Sequence, residues 1–359
     1  MSGRVTALVG GQYGSEGKGA VAEFLANEYS VHVRTGGPNA GHTIYYNGER
    51  IAMQVIPCGW VNPNARLVLG RGMLIDIDTL IKEIHMISKF DSNIMERIVI
   101  DSNCGVLSDK HQMSEGGRNG ILNQKIGSTG KGVGAARIDR IRRDENDFEL
   151  FEKAIIKDDR YKFLRNLIYY DTPEMLDGFL YQGDDILLEG TQGSGLSLIH
   201  GPWPFVTSAD TNAAQLLSDA GIAPNRLTET IMVCRTFPIR VAGNSGPLNN
   251  ELSWASVSAM AGRKVEEKTT VTNKTRRIGM WDKELVFKAC ILNNPDYIVL
   301  TFLDYMFPEC EGVAEYCKLS DRAKDFIHQI SQETSIPVAM AGTGYSEKLE
   351  TIAMVDMRG

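Results

Sequence analysis

Apolar residues are distributed along this chain in two alternating patterns. Short, predominantly apolar runs at 5–9, 31–34, 66–69, 97–101, 185–189, 230–235 and 296–303 read as strands buried on both faces. Between them lie stretches of helical spacing. At 76–89, Leu80, Ile81, Ile84 and Ile87 share one face, and the same period recurs at 147–168 and 321–334. This alternation predicts an α/β fold with a mostly parallel central sheet flanked by helices. Loops leaving the strand ends of such a sheet gather along one edge, where ligands bind. No internal repeat, low-complexity tract or linker interrupts the pattern, so 1–359 reads as a single domain.

Composition narrows the class. Hydrophobic residues make up 43% of the chain and charged ones 23%, the range of an ordinary globular enzyme. A net charge of −7 argues against nucleic acid or a membrane surface as the main partner, and the cations cluster in short loops that suit small anions. The six cysteines (58, 104, 234, 290, 310 and 317) form no C-x-x-C pair and read as free buried thiols. No signal peptide and no apolar run of membrane length is visible. A cytoplasmic location is expected, in the host cytoplasm if the chain is phage-encoded.

The chemistry begins with Gly10-Gly11-Gln12-Tyr13-Gly14-Ser15-Glu16-Gly17-Lys18-Gly19, set between the first strand and a helical pattern from Ala20 to Asn27. Strand, glycine turn and helix start form an anion site, in which free backbone N–H groups converge on phosphate. Lys18 adds a point charge. The spacing is that of a variant P-loop, since Gly19 replaces the usual Ser or Thr after the lysine. A second segment, Gly36-Gly37-Pro38-Asn39-Ala40-Gly41-His42-Thr43, follows the strand 31–34. Its glycines allow close backbone approach, and His42 is suited to act as an acid towards a leaving phosphate.

Together these segments resemble the adenylosuccinate synthetase family, whose pattern is Gln-Trp-Gly-Asp-Glu-Gly-Lys-Gly followed about two dozen residues on by Asn-Ala-Gly-His-Thr. The resemblance implies a P-loop-like nucleotide ligase. In that family a purine O6 takes the γ-phosphate of a nucleoside triphosphate, and the aspartate amine then displaces it. Ser15 departs from the pattern, standing where the family carries an aspartate that takes the N1 proton of IMP and helps hold magnesium. General-base catalysis contributes roughly 10²–10⁴-fold, and a serine hydroxyl does not supply it. A small neutral side chain does leave room for a purine 2-amino group. The chain is therefore similar to the family's bacteriophage branch, the N6-succino-2-amino-2′-deoxyadenylate synthases, which act on dGMP on the way to diaminopurine DNA.

The resemblance extends through the chain. It assigns the donor nucleotide to Gly14, Glu16, Gly17, Lys18, Gly19, Gly41, His42, Thr43, Arg276, Asp304, Gly342 and Gly344. It assigns dGMP to Ser15, Asn39, Ala40, Ser128, Thr129, Gln192, Thr207 and Lys274, with Arg143 reaching across from the partner of a homodimer. Aspartate falls to Val271, Thr272, Lys274 and Arg276, and Mg2+ to the Gly41 carbonyl and Ser15. Ser15, His42 and Lys18 are the catalytic candidates. Thr301-Phe302-Leu303-Asp304 matches the family's base-reading Thr-Lys-Leu-Asp without its lysine. Asp304 would favour GTP, whereas the phage branch implies ATP or dATP. Trp203, Phe205 and the Glu266-Glu267-Lys268 stretch read as core and as solvated surface respectively. The alternatives are adenylosuccinate synthesis from IMP with GTP, and a nucleotide-binding regulator without catalysis.

Overall fold

A computed structural model describes residues 2–116, 121–144, 146–269, 274–345 and 352–358. Ten strands form its central sheet: β1 (Val5–Gly10), β2 (Val31–Arg34), β3 (Arg66–Leu69), β4 (Ile98–Asp101), β5 (Ile168–Tyr169), β6 (Ile186–Glu189), β7 (Glu229–Arg235), β8 (Tyr297–Thr301), β9 (Val338–Tyr345) and β10 (Ile352–Asp356). Their spatial order is β10-β9-β8-β7-β1-β6-β2-β3-β4-β5. Every neighbouring pair is parallel except β9 and β10.

Period-two alternation sends successive side chains to opposite faces. Leu8, Leu67, Leu187 and Val299 enter one core, together with Val21 and Leu25 of α1 (Lys18–Phe24). Ala7, Val33, Leu188 and Leu300 enter the other, beneath the helices Ala213–Ala220, Lys283–Asn293 and Asp321–Thr334. All six residues of β1 are buried, which explains its uninterrupted apolar run.

Because nine strands run the same way, the loops after β1, β2, β6, β7 and β8 leave from one edge. β1 lies between β6 and β7, so connections depart from it to both sides, and a crevice opens there.

Several sequence expectations change. The 147–168 pattern divides into a helix, Phe151–Lys157, and a 3-10 segment, Asp159–Leu167, where the Asp158 carboxylate caps Arg160 N–H. The hairpin His42–Tyr46 with Glu49–Met53, and the edge strand β10, lacked the long apolar runs that marked the others. Cys317 is exposed, whereas the other five thiols are buried and all six are free. Trp203 is 75% exposed and is not a core residue. Among the described residues no helix is long and apolar enough to cross a membrane.

Candidate active site

The glycine loop after β1 folds around its own carboxylate. Glu16, fully buried, accepts from the backbone N–H of Gln12 at 3.1 Å and of Gly14 at 2.7 Å, and pairs with Lys18 Nζ at 2.7 Å. Two amides expected to be free for phosphate are therefore satisfied internally, as buried backbone donors require. Lys18 also donates to the Gln192 carbonyl, which leaves one of its three N–H bonds for a ligand. Gly17 sits at φ +89°, in the left-handed region where other residues are strained. A Cβ on Gly19 would lie 2.9 Å from the Thr43 carbonyl, so this glycine lets the His42 hairpin rest against α1.

Ser15 is also left-handed, at φ +60°. Its carbonyl accepts from Arg235 Nη1 at 3.0 Å, and its Oγ accepts from Arg276 Nη1 at 2.6 Å. Arg235 is buried, pairs with Glu267 and lies 3.9 Å over the Phe302 ring. Glu267, expected to be solvated, instead belongs to the scaffold that fixes the loop.

His42 is held by a buried ion pair. Arg34 ends β2 and Glu189 ends β6, and the two residues are direct partners in the register of these adjacent strands. Their side chains form a salt bridge, and Glu189 Oε1 lies 2.5 Å from His42 Nδ1. Glu189 Oε2 accepts from Cys58 N–H at 2.6 Å, while Arg34 Nη2 donates to the Ala40 carbonyl at 3.3 Å. Burial, followed by the Arg34 charge, lowers the His42 pKa to about 4. Burial acts to raise Glu189, but Arg34 and His42 outweigh it and hold that carboxyl at about 2. The pair is therefore carboxylate and neutral imidazole, with Nδ1–H donating to Glu189. That hydrogen bond fixes the tautomer and leaves Nε2 as the nitrogen available to a ligand. His42, Cys58 and Glu189 cluster within 4.8 Å, but burial pushes the thiol well above its usual range and Arg34 already neutralises the carboxylate. That cluster does not suit a metal.

A cavity of about 240 Å³ opens against these groups. Gly14, Ser15, Lys18, Asn39, Ala40, Gly41 and His42 line one side, and Ser128, Thr129, Gln192, Thr207, Lys274 and Arg276 complete it. Most of the expected purine-side residues thus converge from five separate segments. Glu16 lies beneath the cavity. Gly17, Gly19 and Thr43 lie outside its lining, as do Asp304, Gly342, Gly344 and Arg143. Arg143 is exposed at the end of the helix Val133–Arg142, near the exposed Ile138 and Ile141. Val271 and Thr272 fall outside the described residues.

Sequence reasoning missed several lining residues. Phe205, expected in the core, lines the cavity, as do Tyr13, Asn123 and Arg240. Arg240 lies 4.1 Å over the Tyr13 ring, and burial lowers its pKa to about 10. Tyr13 falls inside the glycine loop, and that position was the available signal.

Comparison with known proteins agrees with this geometry. A family model described as adenylosuccinate synthetase matches residues 7–162 and 148–311. The adenylosuccinate synthetase of Methanocaldococcus jannaschii is 39% identical over 342 residues, covering 94% of each chain. That of Methanococcus maripaludis is 38% identical over 345 residues, 94% of this chain and 96% of its own. A solved structure of cyanophage S-2L succinoaminodeoxyadenylate synthetase, bound to dGMP and to dATP as an energy donor, matches with a TM-score of 0.82. It is 26% identical, over 100% of this chain and 97% of its own. The fully ligated adenylosuccinate synthetase of Plasmodium falciparum shares the fold, with a TM-score of 0.83 at 22% identity over 99% and 100% of the two chains.

Proposed function

The chain belongs to the adenylosuccinate synthetase family of carbon–nitrogen ligases, and from that premise we propose that it joins L-aspartate to C6 of dGMP at the expense of ATP or dATP. The product is N6-succino-2-amino-2′-deoxyadenylate, a precursor of diaminopurine nucleotides.

Ser15 carries this reading. It lines the cavity with a side chain smaller than a carboxylate, and Arg276 fixes its oxygen at 2.6 Å. With one lone pair used by Arg276, the hydroxyl keeps its own hydrogen and a second lone pair. It can accept from a purine 2-amino group or donate to an unprotonated ring nitrogen. The cyanophage neighbour, which binds dGMP and dATP, supports the same acceptor and donor.

The chain's own residues divide the work. Asn39, Ser128, Thr129 and Thr207 surround the 5′-phosphate and Gln192 faces the base, while Lys274 lies by the sugar. Arg276 grips an aspartate carboxylate. Lys18 offsets charge on the phosphates, and His42 Nε2 meets the bond to the departing diphosphate. Magnesium fits as part of the donor complex, because Gly41 offers a hard neutral oxygen and Ser15 a second one, already shared with Arg276. Glu16 is committed to Lys18 and the loop amides, so phosphate oxygens supply the anionic ligands. The ion neutralises developing charge on those oxygens. In this reading the protein is a homodimer, and the exposed Arg143 serves the partner's phosphate.

A second reading, adenylosuccinate synthesis from IMP, is favoured by the archaeal relatives at 39% identity. Phosphate release separates it from the first. Purified protein with ATP, magnesium, aspartate and dGMP should release phosphate, and omission of any one component should stop it. Release with IMP and none with dGMP supports the second reading.

A further inference from the structure

The ion pair between Asp304 and Arg263 carries two unsatisfied groups of opposite kind. Asp304 follows β8 in the turn Leu303–Met306 and is buried. Its Oδ2 accepts from Arg263 Nη2 at 2.5 Å, while its Oδ1, shielded from solvent, has no hydrogen-bond partner. Arg263 Nη1 is likewise shielded and without a partner, and Glu311 Oε1 stands 3.3 Å from Nη2 and steadies the guanidinium. Buried polar groups are nearly always paired, and two orphans on one ion pair point to a ligand that supplies both partners.

The pair also lies where a donor nucleotide's base would reach. Thr301 donates to the Glu16 carbonyl at 2.5 Å, and the Phe302 ring approaches Gly17, so the segment leading to Asp304 is anchored on the phosphate loop. Across from it, Gly344 stands at φ +92°, and a Cβ there would come within 2.9 Å of the Asp304 carboxylate. The backbone thus leaves that carboxylate unobstructed.

We propose that Arg263 and Asp304 together read the donor base and that Arg263 sets its identity as adenine. The inference rests on the ligase reading only in taking the phosphate loop as the donor site. Adenine presents a donor, its 6-amino group, beside an acceptor, N1. Oδ1 takes the first and Nη1 serves the second. Guanine presents two adjacent donors, N1–H and the 2-amino group, which call for both carboxylate oxygens. Arg263 already holds Oδ2. Guanine docked with O6 on Nη1 and N1–H on Oδ1 still sets its 2-amino group against that occupied oxygen. A base donor left without an acceptor in a buried site weakens binding about tenfold or more.

Calorimetric titration with the β,γ-imido analogues of ATP and GTP tests this in full-length protein with magnesium, without acceptor purine or aspartate. The wild type is expected to bind the adenine analogue about tenfold tighter or better, and Arg263→Met is expected to shift the ratio towards guanine by about tenfold. Should Arg263→Met fail to fold, Arg263→Lys preserves the charge but lacks the forked second donor and is expected to narrow the ratio similarly. A wild type that prefers the guanine analogue overturns the proposal, as does an unchanged ratio in a folded variant. Failure of the dGMP reading appears separately, in the product assay, because no acceptor enters this titration.

Discussion

His42 Nδ1 lies 2.5 Å from Glu189 Oε1, and through that contact the candidate acid is tied to the ends of two parallel strands. Arg34 and Glu189 are fixed opposite each other by strand register, so the imidazole is oriented by the sheet and not by its own glycine loop. The site therefore inherits the rigidity of the core, which suits a group that must meet one phosphate oxygen.

Glu189→Gln tests how much rests on this pair. The substitution leaves the Arg34 guanidinium buried without its counter-charge, and breaking such a pair typically costs about 3–5 kcal/mol. Urea denaturation should show a markedly lower midpoint. An unchanged midpoint would mean that Arg34 finds another acceptor.

Acid should destabilise the protein through His42. Its folded pKa of about 4 lies below the ordinary 6.5, so the unfolded chain binds more protons between these values. Stability is fully present above about pH 6.5 and is lost as pH falls towards 4, with a slope of up to about 1.4 kcal/mol per pH unit. Glu189, held near 2, withdraws its contribution only below its ordinary value of 4.5. Denaturation series at pH 7, 6 and 5 should show the slope in the wild type and a shallower one in His42→Asn.

His42→Asn should also lower kcat by roughly 10²–10⁴-fold, the usual scale of acid–base assistance, with small changes in KM for either nucleotide. Equal losses in kcat and in kcat/KM would mark an interaction made only in the transition state. A rise in KM alone would assign His42 to binding.

Arg276→Met should raise the KM for aspartate by about 10–100-fold, the scale of a lost charge-assisted hydrogen bond. It also removes the donor that fixes Ser15 Oγ. Discrimination between purines should therefore loosen together with aspartate affinity. Altered aspartate affinity with unchanged purine preference would separate the two roles.

Much of this site was legible in the sequence because glycine loops at strand ends carry local signals. Ser15, Lys18, Gly41, His42, Gln192 and Arg276 all meet in one cavity as their motifs implied. The supporting groups were not legible. Arg34 and Glu189 lie far apart in sequence, and only the placement of β2 beside β6 makes them partners. Glu267 looked like surface because its partner, Arg235, is brought to it by β7 from outside the local segment. Trp203 misled in the opposite direction: an aromatic residue between two prolines reads as core, but the loop turns it to solvent. Strand positions were legible wherever burial on both faces produced an unbroken apolar run. The His42 hairpin and the antiparallel edge strand lack that signature.

The account stands most directly on the ratio of kcat/KM for dGMP to that for IMP, measured with ATP and saturating aspartate in the wild type and in Ser15→Asp. It predicts a ratio well above one in the wild type and a fall of about tenfold or more when the carboxylate is introduced. A wild-type ratio below one that the substitution does not move would contradict it.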